Sequence, residues 1–130
     1  MPFKIERLPG ESIIVTTWAE PANLTEEMPE SWKKIDALIG PDEDKVYCIT
    51  DLRGLSVDFS TMIKGMTLQR GRQPGSSSDL RIRSILVGTG MLWEIVSKGV
   101  KQIRGGNAEL PLFSTMEEAL AHAREKIKTW

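Results

Sequence analysis

The stretch "VYCITDLRGLSVDFSTMIKGM", residues 46–66, decides the fold. Its first residues, Val46 to Thr50, are short-run, β-branched and aromatic, the composition of a buried strand. The run stops at Asp51, Gly54 follows, and Ser56, Asp58, Ser60 and Thr61 crowd the next turn. Phe59, Met62, Ile63 and Met66 then recur at helical spacing. A central strand, a turn and a helix are therefore expected, with the Asp58 carboxylate capping the helix N-terminus.

On the N-terminal side, "FKIERLP" and "SIIVTTW" flank Gly10-Glu11 and predict a two-stranded hairpin. Leu24, Met28, Trp32, Ile35 and Ile39 follow as a helical stripe. Pro29 falls inside it, and proline costs about 3 kcal/mol in a helix interior. The regular helix is therefore expected to begin near Pro29, with Gly40 as its C-cap. On the C-terminal side, "GRQPGSSSD" (71–79) is low in complexity and reads as a mobile loop. "LRIRSILVG" predicts a strand and "GMLWEIVSKGVKQIR" an amphipathic helix. "AELPLFS" gives a short strand whose Pro111 suits an edge. Ser114 and Glu117 make a capping box for a last helix with Met116, Leu120, Ala123 and Ile127 inward. The order is β-β-α-β-α-β-α-β-α. It predicts an α/β fold, a mixed and mainly parallel sheet flanked by helices and led by an antiparallel hairpin. One domain spanning 1–130 is expected.

Composition narrows the function classes. Net charge is −1, with 17 basic and 18 acidic residues, so nothing in the overall charge favours nucleic acid or an anionic membrane. The longest apolar runs, such as Ile13-Ile14-Val15, are far short of the roughly 20 residues a membrane span needs. The N-terminus lacks the basic start and apolar core of a secretory signal. A single cysteine, Cys48, rules out an internal disulfide, and a cytoplasmic protein is the default expectation.

Catalytic chemistry finds little to stand on. Cys48 sits between Tyr47 and Ile49 and reads as buried filler. His122, the one histidine, lies beside the apolar stripe of the last helix. One Cys and one His do not make a zinc site, and "PDEDK" lacks the spacing of a calcium loop. Neither a metal nor a cofactor is expected. "VGTGMLW" (87–93) has a strand–Gly-x-Gly–helix outline, but Trp93 stands where a dinucleotide site needs its third glycine. Charge is uneven: residues 20–44 carry a net −6 and residues 64–83 a net +4. The plain reading is two solvated faces that balance each other. The sharper one is an anion or partner patch built from Lys64, Arg70, Arg72, Arg81 and Arg83. That stretch holds no aromatic residue, which argues against RNA.

With Asp51-Leu52-Arg53-Gly54 closing a central strand and a helix starting shortly after, the chain resembles the STAS superfamily. It is most similar to the SpoIIAA-like branch, named for the anti-sigma-factor antagonists. The resemblance covers about residues 11–128 as a pattern and residues 46–62 as a motif. In the antagonists the strand leads to an Asp-Ser-Ser/Thr-Gly turn whose first serine is phosphorylated. The match places Ser60 at that position and Thr61 beside it, with Phe59 and Met62 where the motif has Asp and Gly. The SpoIIAA-like branch generally keeps the strand end and lacks the switch motif. By residue type and position, Asp51, Arg53, Gly54 and Asp58 read as a strand-end and cap cluster. The resemblance implies a non-catalytic regulatory or protein-interaction module with an unidentified protein partner. A homodimer is compatible with the apolar surplus: the helical stripes do not need all of Trp18, Trp93 and Trp130, and Trp130 is either packed back or part of an interface. The alternative is a carrier of a small apolar, lipid-like molecule, with Met62, Met66, Met91 and Trp93 lining a pocket between helices and sheet.

Overall fold

The structure, a computed structural model, describes residues 3–68, 74–76, 79–104 and 110–130, with side chains at all of these except 59, 65, 66, 68 and 99–104. The elements are β1 (Phe3–Arg7), β2 (Ile13–Ala19), α1 (Leu24–Leu38), β3 (Val46–Gly54), α2 (Phe59–Leu68), β4 (Ile82–Val87), α3 (Met91–Arg104), β5 (Leu112–Phe113) and α4 (Met116–Ile127). The five strands form one sheet in chain order. β1 and β2 pair antiparallel, with Phe3 opposite Trp18, and the remaining neighbours pair parallel. The α/β expectation is met, including the leading hairpin, whose turn uses the left-handed backbone of Gly10 (φ 71°).

Strand alternation sorts the core into two layers. Ile13, Val15, Tyr47, Ile49, Ile85 and Val87 point to one face, where Ala119 and Ala123 of α4 seal them. Ile14, Val46, Cys48 and Ile82 point to the other, against Ile35 of α1 and Ile39 just beyond its end. Phe3, Trp18, Leu52 and Leu86 extend that second layer to Leu24 and Met28 of α1 and to Trp93 and Val96 of α3. α2 lies between α1 and α3 and touches both. Each fully buried isoleucine contributes about 2 kcal/mol of transfer free energy, and Ile13, Ile14, Ile49 and Ile85 sit at the centre of the sheet.

Four local expectations change. α1 starts at Leu24 rather than near Pro29. Asn23 Oδ1 accepts the Glu26 N–H at 3.3 Å, and Glu27 Oε1 accepts the Asn23 N–H at 2.8 Å. These reciprocal bonds hold the first turn together ahead of the proline. At the other end Ile39, in extended conformation, is the C-cap. Gly40 instead donates its N–H to Glu43 Oε1 at 2.8 Å. The capping box of α4 is shifted by one residue: Thr115 Oγ1 accepts the Glu118 N–H, and the Ser114 and Thr115 hydroxyls both donate to Glu118 Oε1 at 3.0 Å. Finally, within the 71–79 loop, Gly75, Ser76 and Asp79 are buried. Gly75 (φ 85°) lies so close to α1 that a Cβ there would fall 2.0 Å from the Trp32 carbonyl oxygen. A loop that reads as mobile in the sequence is, at these positions, part of the packing.

Candidate functional site

The segment after β3 divides across the sheet. Asp51 follows Tyr47 and Ile49 onto the α4 side and is buried. Arg53, two residues on, closes a fork over it, with Nε to Oδ1 at 3.0 Å and Nη2 to Oδ2 at 2.8 Å, while the Arg53 N–H also donates to Oδ1. Those hydrogen bonds hold the Asp51 carboxyl below the usual carboxylate range against the opposing effect of burial. Gly54 ends the strand where a Cβ would come within 2.9 Å of the Trp18 carbonyl oxygen. The chain then crosses to the helix-covered face, and Ser56 donates its N–H to Glu20 Oε1 at 2.7 Å.

On that face Asp58 caps α2. Its Oδ1 accepts the Thr61 N–H at 2.7 Å, and its carbonyl accepts from Met62. The Thr61 backbone and hydroxyl, with Lys64 nearby, lower its carboxyl pKa. Ser60 is exposed and Thr61 half-buried in the same turn. Asp51 and Arg53 therefore do not share a pocket with Asp58, Ser60 and Thr61. Closeness in sequence is not closeness in space here.

The basic stretch separates as well. Arg81 is held by Asp79 and Asp36. Arg83 lies over the Trp130 ring at 4.3 Å, on the α4 side. Trp130 itself packs edge-on against Tyr47, with centroids 5.4 Å apart, so it folds back onto the core. Lys64 is exposed on α2. Arg70 and Arg72 lie outside the described residues. The cations with described positions thus point to different faces, and the acidic and basic stretches meet directly at Asp36 and Arg81.

The four residues drawn as an apolar pocket also part company. Met62 is buried, Trp93 is half-buried with its indole 3.2 Å from where a Gly88 Cβ would stand, and Met91 is 74% exposed. The side chain of Met66 lies outside the described residues. Ile63, read as part of the inward stripe of α2, is 41% exposed, and so is Ile95 on α3. Apolar positions in excess of one helical stripe were the available signal for both. Cys48 is buried, and burial pushes its thiol up to about 12, so it is protonated and unreactive at neutral pH. His122 stacks on Phe113 with centroids 5.1 Å apart. Among the described residues there is no cluster of three metal-ligating side chains, and no helix long and apolar enough to cross a membrane.

No family model matches the chain, and no curated protein matches it. Solved structures do. One is a protein of the DUF3478 family from Shewanella loihica PV-4, described as uncharacterized and as having a SpoIIAA-like fold. It superposes with a TM-score of 0.56 at 15% identity, over 93% of this chain and 91% of that one. The protein TM1081 superposes with a TM-score of 0.54, again at 15% identity, over 95% of this chain and 87% of that one. At such identity the likeness is one of shape. A five-stranded, mainly parallel sheet with an antiparallel lead strand, three helices on one face and α4 on the other is thus a SpoIIAA-like fold.

Proposed function

We propose that the protein is a non-catalytic regulatory module that works in the cytoplasm and engages a partner protein through the outer faces of α2 and α3. The observation that carries this reading is the exposure of Met91, Ile63 and Ile95 on two helices in mutual contact. Because α2 and α3 follow neighbouring parallel strands, they start at the same edge of the sheet. The three side chains all lie in the first two turns of those helices. Large apolar side chains grouped at one end of a helix pair mark an interaction surface.

Control of that contact falls to Ser60 or Thr61, within one turn of Ile63. A phosphate there would add close to two negative charges beside Asp58 and at the rim of the apolar group, changing what the face accepts. The carrier reading has less support, because Met91 faces solvent rather than an interior pocket.

The test is site-specific photocrosslinking from positions 63 and 91 in cell extract, with position 125 on α4 as the control. A partner captured at 63 and 91 but not at 125, whose capture from position 91 is lost in the Ile63→Asp/Ile95→Asp variant, supports the reading. Capture that survives that double change in a still-folded protein overturns it.

A further inference from the structure

β1 ends the sheet, and among the described residues its outer edge pairs with nothing. The Leu8 N–H donates to the Ile13 carbonyl at 3.0 Å, which makes that pair a hydrogen-bonded one. Alternation along an antiparallel ladder then turns the amides of Lys4 and Glu6 toward β2 and those of Phe3, Ile5 and Arg7 outward. Lys4 and Glu6 are exposed, and neither has an ion-pair partner among the described residues. The Phe3 and Ile5 side chains point to the other face, and a groove along this edge is lined by Phe3, Lys4 and Ile5 together with Lys34, Ala37 and Leu38 of α1.

We propose that this edge is a homodimer interface: β1 pairs antiparallel with β1 of a second copy, about a twofold axis through Ile5, joining two sheets into one of ten strands. The occupant follows from charge complementarity in "FKIER". Centring the pairing on Ile5 sets Lys4 opposite Glu6 of the partner subunit, and Glu6 opposite Lys4 of the partner subunit. Opposite charges directly across a ladder stabilise it, and like charges destabilise it. Moving the centre by one residue sets Lys4 against Lys4 of the partner subunit, or Glu6 against Glu6 of the partner subunit. The segment therefore selects one register. In that register the outward N–H groups of Phe3, Ile5 and Arg7 donate to the outward carbonyls of the second copy and their carbonyls accept in return, which removes the open edge that a sheet otherwise leaves to chance pairing. The groove between β1 and α1 then closes against its own symmetry mate, covering the partly exposed Leu38. This surface is apart from the α2–α3 face, and it stands or falls independently of the function proposed above.

Sedimentation velocity on the intact chain tests it by charge exchange. The wild type is expected to form a concentration-dependent dimer. Lys4→Glu and Glu6→Lys, each at a solvent-exposed position, should weaken it by about tenfold or more while leaving the circular dichroism spectrum unchanged. An equimolar mixture of the two variants should dimerise again, as should Lys4→Glu/Glu6→Lys. A wild type that stays monomeric at every concentration overturns the proposal. So does a dimer indifferent to both single changes, or a pair of folded single variants that fail to associate on mixing.

Discussion

The Arg81 guanidinium closes on the Asp36 carboxylate of α1, Nη2 to Oδ1 at 2.7 Å, and ties the start of β4 to a helix 45 residues earlier. The same Nη2 reaches Asp79 Oδ2 at 2.6 Å and Nε both Asp79 oxygens at 3.1 and 3.2 Å, while the backbone N–H groups of Gly75 and Arg81 also donate to that carboxylate. Asp79 is nearly buried, whereas Asp36 is 44% exposed along its side chain. Replacing Arg81 by Met should therefore cost about 2–3 kcal/mol, because it strands a carboxylate away from water. Asp36→Asn removes only a half-exposed partner and should cost less than about 1 kcal/mol. Urea unfolding ranks the two. Equal losses would show that Asp79 does not depend on the guanidinium.

Glu43 sets part of the acid limit of stability. Its carboxylate takes a two-pronged bond from Arg7, the Gly40 N–H at 2.8 Å and the Ser12 hydroxyl at 3.1 Å. Led by the Arg7 bonds, these partners hold its pKa at about 2 in the folded chain, against an ordinary value of 4.5. The folded value lies below the unfolded one, so the contribution is complete above about pH 4.5 and is lost as the pH falls toward 2. Allowing for partial exposure, the loss amounts to about 2 kcal/mol. Glu43→Gln should flatten this part of the stability–pH curve, seen as a smaller drop in denaturation midpoint between those pH values. An unchanged slope would contradict the assignment.

Gly10 and Gly75 share a left-handed backbone and differ in their surroundings. Nothing lies within 4 Å of a Cβ at Gly10, so Gly10→Ala should cost about 1–2 kcal/mol, the conformational term alone. At Gly75 the added carbon meets the Trp32 carbonyl, and the substitution should cost upwards of about 3 kcal/mol or detach the segment from α1. Hydrogen exchange at the Gly75 and Arg81 amides, both bonded to Asp79, would register detachment as faster exchange. Similar losses for the two alanine variants would mean that the close approach is not maintained in solution.

Cys48, buried and with its thiol pushed up to about 12, should react with a disulfide reagent at neutral pH only as fast as the protein opens. Full reaction within the mixing time in native buffer would refute that burial. Full reaction in concentrated urea, with none in buffer over the same interval, is the expected pattern.

Periodicity made the layers legible. Val46 to Thr50, the stripe from Trp32 to Ile39 and the alternation in the first strands all carry a repeat that one residue type cannot blur. Capping was less legible because neighbouring solutions share a spacing. Ser114 with Glu117 and Thr115 with Glu118 both fit a capping box, and only tertiary position selects the second. Pro29 misled because its cost was weighed without the Asn23–Glu27 bonds ahead of it. The basic stretch could not reveal that Arg81 was already engaged, since its partner Asp36 lies in a distant segment. Met91 reads as core by residue type, yet it opens α3 facing water.

The order of the strands in the sheet is their order in the chain, and each parallel closure spans one strand–helix–strand unit. Every new strand therefore finds its docking edge on the strand made just before it. No strand must wait for a distant one, and none has to be threaded between two already paired. The sheet can be laid down in the direction of synthesis, from the hairpin outward, and α4 arrives last to shut the remaining face.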